Sequence, residues 1–332
     1  MLMNDLPVLI SLLQFPKKIV ITAHARPDGD AIGSSLGLCH FLNGRGHDVQ
    51  VIVPDDFPGF LKWLPGSDQI MIFESDQDLA KESIKNSDVM FSLDYNDTGR
   101  LNKMQESFDN HDATKILIDH HLHPTKFADL NFSSTKAAAT AELVFDIIKE
   151  LKAVDEITLD IANCLYVGIL TDTGKFQYSN TTENVLEMAA KLVKIGVEPY
   201  TPFNHIYNSF SLGRMKLFGH GLRQMKVNKE LGIAYIPLTA ESMRHFNAQP
   251  GDTEGLVNEG LRVNGVTMSL LLKEDKRIIK MSFRSKGDRA VNELAAKHFE
   301  GGGHMNAAGG RSMLTMEETI EKILKIAKDE NY

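Results

Sequence analysis

Sulfur is scarce in this chain. Its 332 residues include two cysteines, Cys39 and Cys164, both inside apolar stretches, and one tryptophan. Two isolated thiols exclude a disulfide framework and a thiolate zinc site, and fit a pair of buried side chains in a reducing compartment. Basic charge is also short: 36 Lys and Arg against 44 Asp and Glu leave a net charge of −8. No global positive field recruits long nucleic acid, so an anionic substrate must be held by a local patch or by metal ions. No apolar run approaches the length that spans a membrane. The opening MLMNDLPVLISLLQF carries Asp5 and Pro7 and no basic start, and reads as an amphipathic helix rather than a signal peptide. A cytoplasmic protein is the expectation. With 42% hydrophobic and 24% charged residues, the composition supplies an ordinary globular core.

What is present is a series of strand-like runs, the first of them β-branched, three of which end in ionisable residues. KKIVITAH (17–24) ends at His24, and Asp28 and Asp30 follow within six positions. HDVQVIV (47–53) reads as a second strand, SDVMFSLDY (87–95) as another that ends at Asp94, and TKILIDHH (114–121) as one that ends in Asp119, His120 and His121. Helical patterns lie between them, over DAIGSSLGLCHFLNGRG (30–46), ended by glycine, and around 77–85. Strands alternating with helices predict a parallel sheet covered on both faces. Ligands of such sheets bind outside the carboxyl ends of the strands, where these residues lie. Helices are expected over 137–170, then a Thr-Asp-Thr-Gly turn with Asp172, a helix over 181–196 and a partly helical linker over 198–222. From about 223 the pattern changes to strands GIAYIPL, GVTMSLLLKE and KRIIKMSFRSK, the last two joined in a hairpin around Glu274 and Asp275. This is a second, smaller α/β domain, and it contains the loop FEGGGHMNAAGGRS.

Asp28, Asp30, Asp94, Asp172, His24 and His120 are candidates for one site. Two like charges about 4 Å apart repel by about 4 kcal/mol at an effective dielectric of about 20. Two divalent cations would cancel the four carboxylates. Carboxylate mixed with imidazole suits manganese, with iron, cobalt or magnesium less favoured. Two such ions are a standard device for phosphoester hydrolysis, with one carboxylate bridging them. Each piece also has a plainer role. Asp28 and Asp30 could cap the helix that starts near Ala31, Asp94 could be a turn residue, and His120 and His121 a solvated pair. The convergence of four independent segments on one sheet edge favours the metal site. His111, His123, His205 and His245 have no such context. In the second domain, Gly301, Gly302 and Gly303 with His304 could let backbone N–H groups meet an anion, and Arg284 at a strand end could fork a phosphate.

HARPDGDAIGSS, SLDYNDTGR, ILIDHH, GILTDTGKF and GGGHMNAAGG, in this order, resemble the successive motifs of the DHH phosphoesterases. The glycine-rich histidine motif resembles the DHH-associated C-terminal domain shared by nano-RNases, pAp phosphatases and single-strand-specific bacterial exonucleases. The DHH inorganic pyrophosphatases carry a different one. The resemblance implies that His24, Asp28, Asp30, Asp94, His120 and Asp172 ligate two manganese ions, with Asp94 in contact with both and Asp172 a second candidate bridge. It implies that Asp119 orients a ligand imidazole and that His121 faces the scissile phosphate. It assigns Arg284, Gly302, Gly303 and His304, joined by Asn258, to the non-scissile phosphate or the nucleotide. The compact form, without the further domains of larger relatives, resembles enzymes that degrade two- to five-nucleotide RNA, dephosphorylate 3′-phosphoadenosine 5′-phosphate (pAp), or cleave linear or cyclic di-adenylate.

The expectation is therefore a catalytic DHH domain over 1–197, a linker over 198–222 and a substrate-binding domain over 223–332. The active cleft is expected between the domains, closed about the linker. The expected activity is a manganese-dependent, two-metal oligoribonuclease and pAp phosphatase. The alternative is an inorganic polyphosphate or pyrophosphate phosphatase, and a third class is a nucleotide sensor with a silent metal site. Expected partners are short RNA or nucleotide phosphates, with no long duplex and no membrane. Homodimerisation is left open.

Overall fold

A computed structural model describes residues 4–249 and 251–330. The chain divides into two compact units, Met1–Ser209 and Phe210–Tyr332. Both are mixed α/β, and the first holds the parallel sheet. Two helices, Tyr200–Tyr207 and Leu212–Gln224, occupy the stretch read as a linker, and the division falls between them.

The first unit is built on β1 (Lys18–Ala23), β2 (Asp48–Val53), β3 (Met71–Ile72), β4 (Val89–Leu93), β5 (Thr114–Asp119) and β6 (Leu130–Ser133), in the order β3-β2-β1-β4-β5-β6. Every pairing is parallel. The reason is visible in β1 and β4: nearly every residue of KIVITA and VMFSL is buried, as a sheet covered on both faces requires. Ile19, Ile21 and Ala23 pack into one core, and Val20 into the other with Ile52, Met90 and Phe108. The strand order reverses direction between β1 and β4, which opens a crevice at their carboxyl ends. His24 directly follows β1 and Asp94 directly follows β4, so both stand at that crevice. Two helices matter for the site, Gly29–Gly44 after β1 and Leu159–Asp172, which pack on each other, with a third, Thr140–Glu150, against both.

The second unit carries β7 (Lys226–Asn228), β8 (Ile233–Leu238), β9 (Met268–Asp275), β10 (Ile278–Ser285), β11 (Gly302–His304) and β12 (Ala307–Ser312), in the order β11-β12-β10-β9-β8-β7. Only β8 and β9 pair in parallel. The helix Met316–Asp329 is fixed by a capping box between Thr315 and Glu318. The hairpin expected around Glu274 and Asp275 turns two residues later, at Lys276 and Arg277, with Lys276 at φ 58°. The glycine motif was expected as a loop, but it is the edge strand β11, paired residue by residue with β12. Among the described residues no helix is long and apolar enough to cross a membrane.

Candidate metal centre and anion-binding row

Asp94 is the pivot of the first unit's site. It is 2% exposed and sits at φ 64°, a left-handed conformation that aspartate tolerates better than most residues. Its Oδ2 lies 3.4 Å from His24 Nε2, and its Oδ1 lies 3.3 Å from His120 Nε2. The two oxygens of one carboxylate thus face two groups of ligand atoms. His24, Asp28 and Asp94 form one, with His24 Nε2 3.8 Å from Asp28 Oδ2. Asp30, His120 and Asp172 form the other, with His120 Nε2 3.3 Å from Asp172 Oδ2 and 3.8 Å from Asp30 Oδ2. Within each group the ligand atoms lie within 4.8 Å of one another.

Local structure explains how each carboxylate is delivered. Asp28 caps the Gly29–Gly44 helix: its Oδ1 accepts from the N–H groups of Asp30 and Ala31, both at 3.1 Å. The plainer reading of Asp28 therefore holds for one oxygen, while the other faces His24. Asp30 caps a different helix. Its oxygens accept from Thr140 N at 2.5 Å and Ala141 N at 2.9 Å, the start of the Thr140–Glu150 helix, whose own N-cap residue Ala139 offers no side-chain bond. The carboxylate satisfies orphan N–H groups and lies at the positive end of that helix. Gly168 makes room for it. A Cβ there would stand 2.7 Å from Asp30 Oδ1 and 2.5 Å from Ala141 Cβ. Asp172, expected in a turn, is the last residue of the Leu159–Asp172 helix. A carboxylate at a helix C-terminus is disfavoured by the dipole, so this position calls for a compensating cation.

The electrostatics state the same need. Burial, then the Asp94 charge, push the Asp30 carboxyl well above its usual range. Burial, then Asp30, do the same to Asp172. Burial alone would also raise Asp94, but hydrogen bonds from His120 and His24 outweigh it and hold that carboxyl well below the usual range. Burial would depress the two imidazoles, yet Asp94 and its neighbours raise His24 and lift His120 well above the ordinary value. Protons crowd into this cluster to offset its negative charge. Two dications would supply that charge directly, and the donor set of carboxylate oxygen and imidazole nitrogen fits manganese-like ions better than calcium.

Asp119 is fully buried, and its Oδ1 meets His121 Nδ1 at 2.7 Å. It was expected to orient a ligand imidazole; the imidazole it orients is that of His121.

In the second unit the cross-strand register collects two of the expected anion-binding residues. Arg284 on β10 pairs with Ala307 on β12, which pairs with His304 on β11. Directly opposed residues share a face, so Arg284 and His304 stand on one side of the sheet with only the small Ala307 between them. Ser269 continues the row on β9, and its hydroxyl donates to Val257 O in the segment that leads to Asn258. Asn258 belongs to the short helix Leu256–Gly260, which covers β9 and β10. The three glycines are not equivalent. A Cβ on Gly301 would meet Gly309 O at 2.0 Å, and one on Gly303 would meet Ala307 O at 2.4 Å, so both are required by the β12 backbone. Gly302 is exposed and a Cβ there would meet nothing within 4 Å. Its missing side chain leaves bare backbone open to solvent beside the row.

The main omission from the sequence reading is Thr140, whose Oγ1 donates to Asp94 Oδ1 at 3.0 Å. Asn180 was also passed over; its amide bridges Ala138 O at 3.2 Å and Asp172 O at 3.1 Å. Thr140 carries no local signal, because it acts on a residue 46 positions away, and the amide of Asn180 joins one carbonyl eight positions away to one 42 positions away. His111 Nε2 donates to Ser87 O at 2.9 Å, and His205 stacks on Trp63 with ring centroids 4.5 Å apart, so neither joins the site.

Comparison with known proteins places these features in a family. Residues 18–169 match the DHH family, N-terminal domain, and residues 229–331 match the DHHA1 domain. The chain is 31% identical over 314 residues to the bifunctional oligoribonuclease and PAP phosphatase NrnA of Thermus thermophilus, covering 94% of this chain and 90% of that protein. It is 26% identical over 302 residues to the protein of the same name from Bacillus subtilis, covering 91% of each. A crystal structure of an exopolyphosphatase-related protein from Bacteroides fragilis superposes with a TM-score of 0.95 at 39% identity, covering 98% of this chain and 96% of that one.

Proposed function

The chain belongs to the DHH family and carries a DHHA1 domain, and from that premise we propose that it is a two-metal phosphoesterase acting on short oligoribonucleotides and on pAp. Its class is that of hydrolases acting on phosphoester bonds. The observation that carries the two-metal reading is the Asp94 carboxylate, one oxygen facing the His24 and Asp28 group and the other facing the His120 group. Manganese is the proposed ion at both. Bound there, the two ions supply positive charge for the phosphoryl oxygens and make water acidic enough to act as a nucleophile near neutral pH.

The protein's own residues do the rest. His24 and Asp28 hold one side, and Asp30, His120 and Asp172 hold the other. Asp119 fixes His121 so that its Nε2 can serve the phosphoryl group or the departing oxygen with a proton. The metal-holding residues treat any phosphoester alike, so selection falls to groups outside them. Arg284, His304 and the open backbone of Gly302 form the anion-binding row suited to a second phosphate, with Asn258 beside it. A row that recognises a second phosphate would favour substrates with more than one phosphate group, such as pAp, pApA or cyclic di-AMP. The net charge of −8 opposes long nucleic acid.

The test is a screen of the purified, manganese-loaded protein against pAp, pApA, cyclic di-AMP, a five-nucleotide RNA, inorganic polyphosphate and pyrophosphate. Turnover of pAp or the short RNAs well above the inorganic substrates is expected. The Bacteroides fragilis relative makes inorganic polyphosphate the competing reading, and a preference for polyphosphate over every nucleotide would replace the proposal with it.

A further inference from the structure

The geometry points to Thr140 as a positioning residue for the metal centre, one that fixes Asp94 through its hydroxyl and Asp30 through its backbone N–H. The inference rests on the two-metal reading and adds a residue that belongs to neither ligand group.

Thr140 is fully buried and is the first residue of the Thr140–Glu150 helix. A threonine inside a helix commonly bonds back to the carbonyl one turn earlier. At the first helical position no earlier turn exists, and the Thr140 hydroxyl goes instead to Asp94 Oδ1 at 3.0 Å. Its N–H goes to Asp30 Oδ2 at 2.5 Å. Asp30 lies in the first turn of the Gly29–Gly44 helix and Asp94 directly after β4, 64 positions apart by their numbers. One residue therefore sets the relation between a carboxylate of the His120 group and the carboxylate shared by both groups.

The orientation of Asp94 needs such a donor. The torsion of a carboxylate about its last bond is broad and two-fold, so an unrestrained Asp94 can rotate away from the plane that shows one oxygen to each group. The imidazoles of His24 and His120 face it, but they are ligand groups themselves and cannot also serve as fixed donors. Thr140 lies outside both ligand groups and hydrogen-bonds the Asp94 carboxylate at 3.0 Å, closer than the 3.7 Å approach of His121 Nδ1 to the same oxygen. The bond marks Oδ1, the oxygen on the His120 side, so its loss should be felt most by the ion held there.

The experiment titrates chelator-stripped protein with manganese by calorimetry. Thr140→Val keeps the shape and the backbone N–H and removes the donor. Thr140→Ser keeps the donor. Wild type is expected to take up two equivalents. Groups that orient metal ligands are commonly worth 10- to 100-fold in affinity, so Thr140→Val should weaken one of the two equivalents by about that factor, and Thr140→Ser should restore it. In the loaded enzyme, Thr140→Val should lower kcat and leave KM for pAp unchanged. A Thr140→Val isotherm that overlays the wild type overturns the inference. If Thr140→Val does not fold, Thr140→Ala takes its place in the same comparison with Thr140→Ser. A wild-type isotherm with fewer than two equivalents overturns the two-metal reading instead, and so the two failures are told apart.

Discussion

Gly168→Ala sets two effects of opposite sign against each other. Gly168 lies inside the Leu159–Asp172 helix, and alanine in a helix interior is favoured over glycine by about 1 kcal/mol. Propensity alone predicts a more stable protein. The added Cβ, however, would stand 2.5 Å from Ala141 Cβ and 2.7 Å from Asp30 Oδ1, where carbon contacts settle at about 3.5–4 Å. Neither neighbour can swing aside. Ala141 has no rotamer to change, and Asp30 is held by the N–H groups of Thr140 and Ala141. The helix must shift by roughly 1 Å, at an overpacking cost of about 1–3 kcal/mol. The two hydrogen bonds to Asp30 are strained as well, at about 1 kcal/mol each. The clash wins by roughly 2–4 kcal/mol, which in a unit of about 200 residues lowers Tm by about 4–16 °C. Asp172 is one turn further along the same helix, so manganese affinity should fall too. Thermal melting by circular dichroism and a manganese titration measure the two effects. A Tm raised by a few degrees with an unchanged titration would refute the close packing of Gly168 on Asp30.

Arg284→Ala and His304→Ala should raise KM for pAp by about 10- to 150-fold, the worth of a charge-assisted contact, with far less change for an aryl phosphate; equal losses on both substrates would make the row structural. Gly302→Ala should leave Tm within about 1 °C, since nothing stands within 4 Å of the new Cβ, yet raise KM for pAp. Gly303→Ala, which would clash with Ala307 O, should lower Tm instead, and the reverse outcome would mean the glycines were assigned to the wrong roles. Chelation should abolish turnover, and manganese should restore it better than magnesium or calcium. Protons held by the raised Asp30, Asp172, His24 and His120 groups bind only the ion-free form. Manganese affinity should therefore fall as pH is lowered, with proton release in the titration; pH-independent affinity would count against these ligands.

Legibility in the sequence followed how local each feature is. β1, β2, β4 and β5 could be read because short, largely apolar runs mark strands whose later residues are buried. The residues at their ends stood out for the same reason, since polar groups break an apolar run at the sheet edge. β3 is two residues long and β6 four, too short for a period to register. β11 and β12 are made largely of glycine and alanine, which have no strand preference of their own; pairing with β10 imposes their conformation. The double engagement of Asp30 spans 110 positions to Thr140, a distance over which no spacing rule operates. Thr140 itself looks like any helix-starting threonine, and only the fold shows that its hydroxyl goes to Asp94 rather than to its own helix.

The central claim is that Asp94 joins two metal subsites in a phosphoesterase. Asp94→Asn keeps the side-chain shape, removes one charge and leaves the core untouched. The measurement is kcat on pAp and on a five-nucleotide RNA for Asp94→Asn and wild type at saturating manganese, with bound metal counted on the same samples. The account predicts a folded variant with kcat lower by at least about 100-fold. Hydrolysis near the wild-type rate by Asp94→Asn carrying its full complement of metal would contradict it.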